Sequence, residues 1–125
     1  MKILLGGFMK VLVILTDAPY GNEKMFIPLR LIMTLQDENP DAVIRIFMIV
    51  DSVTAALPNQ ITPEGYYNLE KMLKAVMNKG AEIKLCGTCI RSRGIRELKL
   101  IDGIEIGNMK LLSDWTVDSD KIISF

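Results

Sequence analysis

The chain contains no histidine. That excludes Cys-His and Ser-His nucleophilic pairs, and with them any histidine-bearing metal site within one subunit. Its two cysteines offer two thiolates, short of the roughly four ligands that a tetrahedral zinc site takes. A metal would have to be shared between subunits, so no metal and no cofactor are expected. A basic excess is also missing: 15 Lys and Arg face 15 Asp and Glu, for a formal net charge of zero. Nucleic-acid binding through phosphates is therefore disfavoured. Aromatics are scarce, at 6% of residues. A core must be aliphatic and methionine-rich, drawing on residues such as Met72, Met77 and Met109. No uncharged apolar run reaches the roughly 18 residues of a membrane span. The apolar N-terminus, Met1 to Thr16, is interrupted by Gly6, Gly7 and Lys10 and lacks a small-residue cleavage site. A cytoplasmic location is expected.

What is present fits one domain. The 125 residues are 50% hydrophobic, a high share for a neutral small chain, which points to surface covered by another subunit. The segment from Lys10 to Thr16 is continuously apolar, as in a parallel strand covered on both faces. The turn Asp17-Ala18-Pro19-Tyr20-Gly21-Asn22 follows, with Asn22 a reasonable N-cap. A helix to about Gln36 comes next, which Pro28 should kink or start later. Ala42 to Val50 reads as a second strand. Asp51 to Gly65, with Pro58 and Pro63, has no firm periodicity and reads as a functional or interface loop. From Tyr66 the residues Leu69, Met72, Leu73, Val76 and Met77 fall at helical spacing, and Gly80 ends that helix. Ala81 to Leu85 is the third strand. A short amphipathic piece follows at Ile95 to Ile101, then a short strand at Ile104-Glu105-Ile106. Asn108 caps a last helix carrying Leu111, Leu112 and Trp115, and Lys121 to Phe125 closes the chain as a fifth strand. Residues 1–8 read as an N-terminal extension and 9–125 as the domain. The expected fold is α/β, a three-layer, open, mostly parallel five-stranded sheet with helices on both faces, flavodoxin-like in kind.

Both cysteines lie in Leu85-Cys86-Gly87-Thr88-Cys89-Ile90-Arg91-Ser92-Arg93-Gly94, at the carboxyl end of the third strand. Sites in parallel α/β sheets form at such ends. Asp17 to Asn22 (with Tyr20 and Gly21), Asp51 to Thr54 and Cys86 to Cys89 should share one rim. A helix start, Arg91 and Arg93 would each lower a cysteine pKa there, and Gly87, Thr88 and the two arginines would hold an anionic sulfur. C-x-x-C in a cytosolic protein points to redox, persulfide or metal chemistry before a structural disulfide. A thioredoxin-type dithiol also places C-x-x-C after a strand. Resemblance to that family would call for a later proline facing the cysteines, whereas all five prolines here precede Cys86. The plainest alternative is that both cysteines are small buried apolar residues, against which the polar neighbours Gly87, Thr88, Arg91 and Arg93 weigh. Trp115 reads as core.

Three stretches resemble the DsrE/DsrF-like family of small α/β proteins: the first strand running into Thr16-Asp17-Ala18-Pro19-Tyr20-Gly21, the segment Cys86 to Gly94, and the ending Asp120-Lys121-Ile122-Ile123-Ser124-Phe125. In the family's sulfur-relay members a cysteine ends the third strand, with an Arg-Gly pair seven and eight positions later. Cys86 with Arg93-Gly94 matches that spacing. The resemblance implies a homo-oligomer, trimer or hexamer, with the cysteine near subunit contacts. It also implies transfer of sulfane sulfur between a donor and an acceptor protein through Cys86, without a cofactor. Cys89 departs from the relay pattern and reads as a resolving or auxiliary thiol. Two other readings stay open: a dithiol redox protein, and a non-enzymatic oligomeric binding module.

Overall fold

A computed structural model describes residues 8–125, so most of the expected extension at 1–8 lies outside the described residues. The strands are β1 (Lys10–Leu15), β2 (Val43–Met48), β3 (Glu82–Cys86), β4 (Glu105–Gly107) and β5 (Lys121–Ser124). The helices are α1 (Phe26–Glu38), α2 (Leu69–Asn78), α3 (Gly87–Ser92) and α4 (Met109–Val117), and a 3-10 helix spans Val50–Ala56. The sheet order is β4-β3-β2-β1-β5, and all four pairings are parallel.

Strand order dictates the layers. From β1 to β4 the chain steps one way across the sheet, and right-handed crossovers then put every connection on one face. Val11, Val13, Leu15, Ile44, Ile46, Met48, Ile83 and Leu85 point to that face and are buried with Leu29 and Ile32 of α1 and Leu73 and Val76 of α2. The return from β4 to β5 reverses direction, so the same handedness sends α4 to the opposite face. There Leu12, Phe47 and Trp115 form a smaller core, flanked by Ile14, Ile49, Leu111 and Leu112. The Trp115 ring meets Phe47 edge-on, with centroids 6.3 Å apart.

The local signals act where side chains can satisfy backbone donors. Asn68 and Asn108 cap α2 and α4 by accepting from the amides of Lys71 and Leu111, two of the donors that a helix start leaves orphaned. Pro28 resolves by shifting the start of α1 to Phe26, which leaves it in the first turn, where a missing N–H costs nothing. Gly80 adopts φ +104° after α2, a conformation that favours glycine. One expectation changes. Part of the segment read as a loop from Asp51 is a 3-10 helix, packed inward through Ser52, Val53, Ala55 and Ala56. Ile95 to Ile101, which the sequence marks only as a short amphipathic piece, takes neither helix nor strand form. It is irregular chain anchored by the Ile101 amide, which donates to the Ala56 carbonyl at 2.8 Å.

Candidate functional site

The carboxyl ends of β1, β2 and β3 are tied together around the C-x-x-C turn. Ser52 Oγ donates toward the Leu15 and Ile49 carbonyls, at 2.7 Å each, fastening the 3-10 helix to β1. Arg93 reaches from the end of α3 to Asp51, with Nε at 3.0 Å and Nη2 at 2.8 Å from one carboxylate oxygen. Its Nη1 donates to the Cys89 carbonyl at 3.2 Å. Arg93 thus clamps the β2 loop to the cysteine turn, with its charge committed to Asp51.

Cys86 ends β3 and is the N-cap of α3, where its Sγ accepts the Cys89 amide at 3.3 Å. Both cysteines are free and partly buried. They face opposite layers: Cys86 packs with the Leu12, Phe47 and Trp115 core, Cys89 with the larger core under α1 and α2. Cys86 opens into a cavity of about 400 Å³, lined also by Gly87, Thr88, Arg91, Ile106, Asn108 and Met109. Across the strand pair, Gly107 sits opposite Cys86 and lets α4 come close. A Cβ there would stand 2.8 Å from Leu111 Cδ2.

Cys89 Sγ accepts the Val50 amide at 3.2 Å. Val50 holds φ +57°, a left-handed conformation that costs a non-glycine residue about 1–2 kcal/mol and is an outlier for a β-branched one. The Ile-Val-Asp sequence carries no sign of it, and it is the contact that sequence reasoning missed. Contrary to the expectation of a lowered value, the Cys89 pKa is pushed up. Burial is the largest cause, then the hydrogen bond with the Cys86 side chain. The Val50 amide and the Arg93 charge pull it down less strongly.

The other predicted residues divide. Arg91 Nη2 is 3.3 Å from Thr88 Oγ1, beside the cavity, and contributes charge there. A Cβ on Gly87 would meet Ile106 Cγ2 at 3.1 Å, so glycine keeps the cavity wall thin. Tyr20 turns to the segment before α2: its hydroxyl donates to Gln60 Oε1 at 2.6 Å and accepts the Leu69 amide at 2.9 Å. Gly21, at φ +98°, makes the turn that precedes α1. These two organise the rim rather than touch the thiols. Ile106, Asn108 and Met109 were not foreseen as cavity residues. The signal for them was positional, since the fourth strand had to end beside the third. Among the described residues, no cluster of three or more cysteine or carboxylate side chains could hold a metal.

The DsrE/DsrF-like family model matches residues 9–125. The chain belongs to the DsrE/DsrF-like family. It is similar to protein YchN of Escherichia coli, 40% identical over 116 residues that are 93% of this chain and 98% of YchN. The crystal structure of that protein matches with a TM-score of 0.90, over 94% of this chain and all of the other (100%). An uncharacterised protein of Methanocaldococcus jannaschii is 34% identical over 94% of this chain and 100% of its own length. A protein of unknown function from Methanobacterium thermoautotrophicum, at 12% identity, shares the fold with a TM-score of 0.72 over 94% and 99% of the two chains. In this DsrE/DsrF-like chain, as in its sequence reading, the five-stranded α/β sheet carries helices on both faces.

Proposed function

We propose that this DsrE/DsrF-like protein is a cytoplasmic sulfur carrier, sulfurtransferase-like in its chemistry, that accepts sulfane sulfur on Cys86 and passes it to an acceptor thiol. One observation carries the reading: Cys86 opens into a cavity beside Arg91 and Thr88, while Cys89 is turned toward the larger core. The thiolate of Cys86 attacks the outer sulfur of a donor persulfide. A bond forms from Cys86 Sγ to that sulfur, the donor's S–S bond breaks, and the donor thiolate leaves. No net oxidation occurs, so the exchange needs no cofactor. The Arg91 guanidinium offsets the charge that accumulates on the sulfur, and the Cys89 amide supplies a backbone donor to Cys86 Sγ. Arg93 acts by position, holding Asp51 and the Cys89 carbonyl. The carrier works as a homo-oligomer, trimer or hexamer, with donor and acceptor proteins reaching Cys86 from the cavity side.

The test is loading. After incubation with glutathione persulfide, trapping and peptide mass spectrometry should find one added sulfur on Cys86 in the native protein and none at position 86 in Cys86→Ser. Added sulfur absent from Cys86 while Cys89 carries it would overturn the assignment.

A further inference from the structure

Cys89 is more than a second copy of the same thiol. Its sulfur is held by the backbone N–H of Val50, a residue in a left-handed conformation. A neutral thiol is a weak acceptor, whereas a thiolate is a strong one. A donor aimed in this way helps most when Cys89 carries negative charge, as an attacking sulfur does. The same turn brings Cys89 to Cys86: they are the N-cap and third residues of α3, and the Cys89 amide lies 3.3 Å from Cys86 Sγ. Residues three apart on one helical turn have Cβ atoms about 5–6 Å apart, and a disulfide needs about 3.5–4.5 Å, so bond formation takes a shift of the α3 start together with rotation of both side chains. The Asp51–Arg93 pair and the Arg93 contact to the Cys89 carbonyl keep the Val50 loop and the turn in register. The two sulfurs also face different layers. A donor enters from the cavity, and Cys89 approaches Cys86 from the other side.

We propose that Cys89 is the resolving thiol of a sulfur-release step, converting the Cys86 persulfide into a Cys86–Cys89 disulfide and free hydrosulfide. The inference rests on the carrier reading above. Cys89 sulfur attacks Cys86 Sγ, forming the S–S bond between the two residues, and the bond from Cys86 Sγ to the outer sulfur breaks. The outer sulfur leaves with the bonding pair and takes the proton that Cys89 gives up. The two cysteines are oxidised to the disulfide as the sulfane sulfur is reduced to the level of sulfide, so the step needs no outside oxidant. Return to the dithiol requires a thiol reductant. The protein would then pass sulfur on when an acceptor is bound and discharge it as hydrosulfide when none is.

The experiment starts from the reduced full chain, loaded with glutathione persulfide and desalted. Hydrosulfide is followed with a sulfide electrode, and intact mass is recorded in parallel. The native protein should release its loaded sulfur as hydrosulfide and end lighter than its reduced form by two hydrogens. Cys89→Ser and Cys89→Ala should keep the sulfur on Cys86 and release it at least about tenfold more slowly, the intramolecular advantage being lost. A native protein that holds its sulfur as long as both variants, or releases it without forming the disulfide, overturns the resolving role and leaves the carrier reading standing. Failure of both variants and the native protein to take up sulfur at Cys86 overturns both.

Discussion

Gly107 offers a sharp test of how α4 is seated beside Cys86. Its backbone is not in the left-handed region, so alanine fits the main chain and should gain roughly 0.5–1 kcal/mol from lower unfolded-state entropy. Packing opposes that gain. The new Cβ would lie 2.8 Å from Leu111 Cδ2, and 3.4 Å from both Lys84 Cβ and Phe47 Cε2. Carbon contacts are ordinarily about 3.5–4.0 Å, so the Leu111 methyl must move by roughly 1 Å and the other two neighbours by little. Overpacking of this kind costs about 1–3 kcal/mol. Because Leu111 is only half-buried and its terminal methyl can swing, the cost belongs in the lower half of that range. Gly107→Ala should therefore destabilise by about 1 kcal/mol net. In a Leu111→Ala background the clash is gone, and the same substitution should become neutral or slightly stabilising. The assay is urea unfolding at fixed protein concentration, followed by the fluorescence of Trp115, the chain's one tryptophan, which is buried against Phe47. Equal effects of Gly107→Ala in the two backgrounds would refute the close approach of α4, because independent sites add and contacting ones do not.

Two further outcomes concern titration. Alkylation of Cys89 by iodoacetamide should rise with pH to a half-point above the ordinary thiol value, because burial and the Cys86 side chain both disfavour its thiolate, against smaller pulls from the Val50 amide and Arg93; Asp51 faces the turn as Arg93's partner. Cys86→Ser should move that half-point down, and a native half-point at or below the ordinary thiol range would refute the account. In stability terms the raised value favours the fold below the unfolded thiol pKa, and that contribution fades as pH climbs toward the folded one. Glu70 runs the other way. The Gln60 amide, then Lys74, hold its pKa below the usual carboxylate value, so its contribution is full above the unfolded pKa and is lost as pH falls through the folded one. Glu70→Gln should cost about 1 kcal/mol at neutral pH and flatten the acid side of a urea-midpoint profile; an unchanged acid slope would count against the pairing.

The strands were readable because a parallel sheet buried on both faces demands apolar runs, and Val11 to Leu15 or Ile44 to Met48 have no other use for them. Asn68 and Asn108 were less alike as signals: Asn108 stood directly before a helical pattern, whereas Asn68 was hidden behind Tyr66 and Tyr67, so the predicted start of α2 came early. The 3-10 helix after β2 escaped because three-residue periodicity over so few residues leaves no trace in hydropathy. At the site, the helix start and the two arginines pointed to a lowered cysteine pKa, whereas burial raises that of Cys89. That rise depends on how much water the larger core excludes, which no local pattern encodes. The Val50 conformation escaped for a related reason. The hydrogen bonds of Ser52, and those of Asp51 with Arg93, are made at the two residues that follow it, and the residue's own preferences point the wrong way. Tyr20 reads as a rim-loop residue; its stacking with Tyr67, 5.8 Å between centroids, turns it to the segment before α2, a contact that depends on how distant segments pack.

The strand order also has a consequence for synthesis. β1 is synthesised long before its outer neighbour β5, with Val11 to Ile14 paired to Lys121 to Ser124. Until β5 has emerged, one side of β1 stays unpaired, a row of donors and acceptors that an intruding strand could take. The residue after β5 therefore acts as a latch: the Thr16 amide donates to the Phe125 carbonyl at 3.1 Å and the Phe125 amide to the Ile14 carbonyl at 2.9 Å, and both bonds wait until Phe125 has left the ribosome. A chain cut before Lys121 should expose β1 to protease more than one that includes β5, although β1 keeps its pairing with β2.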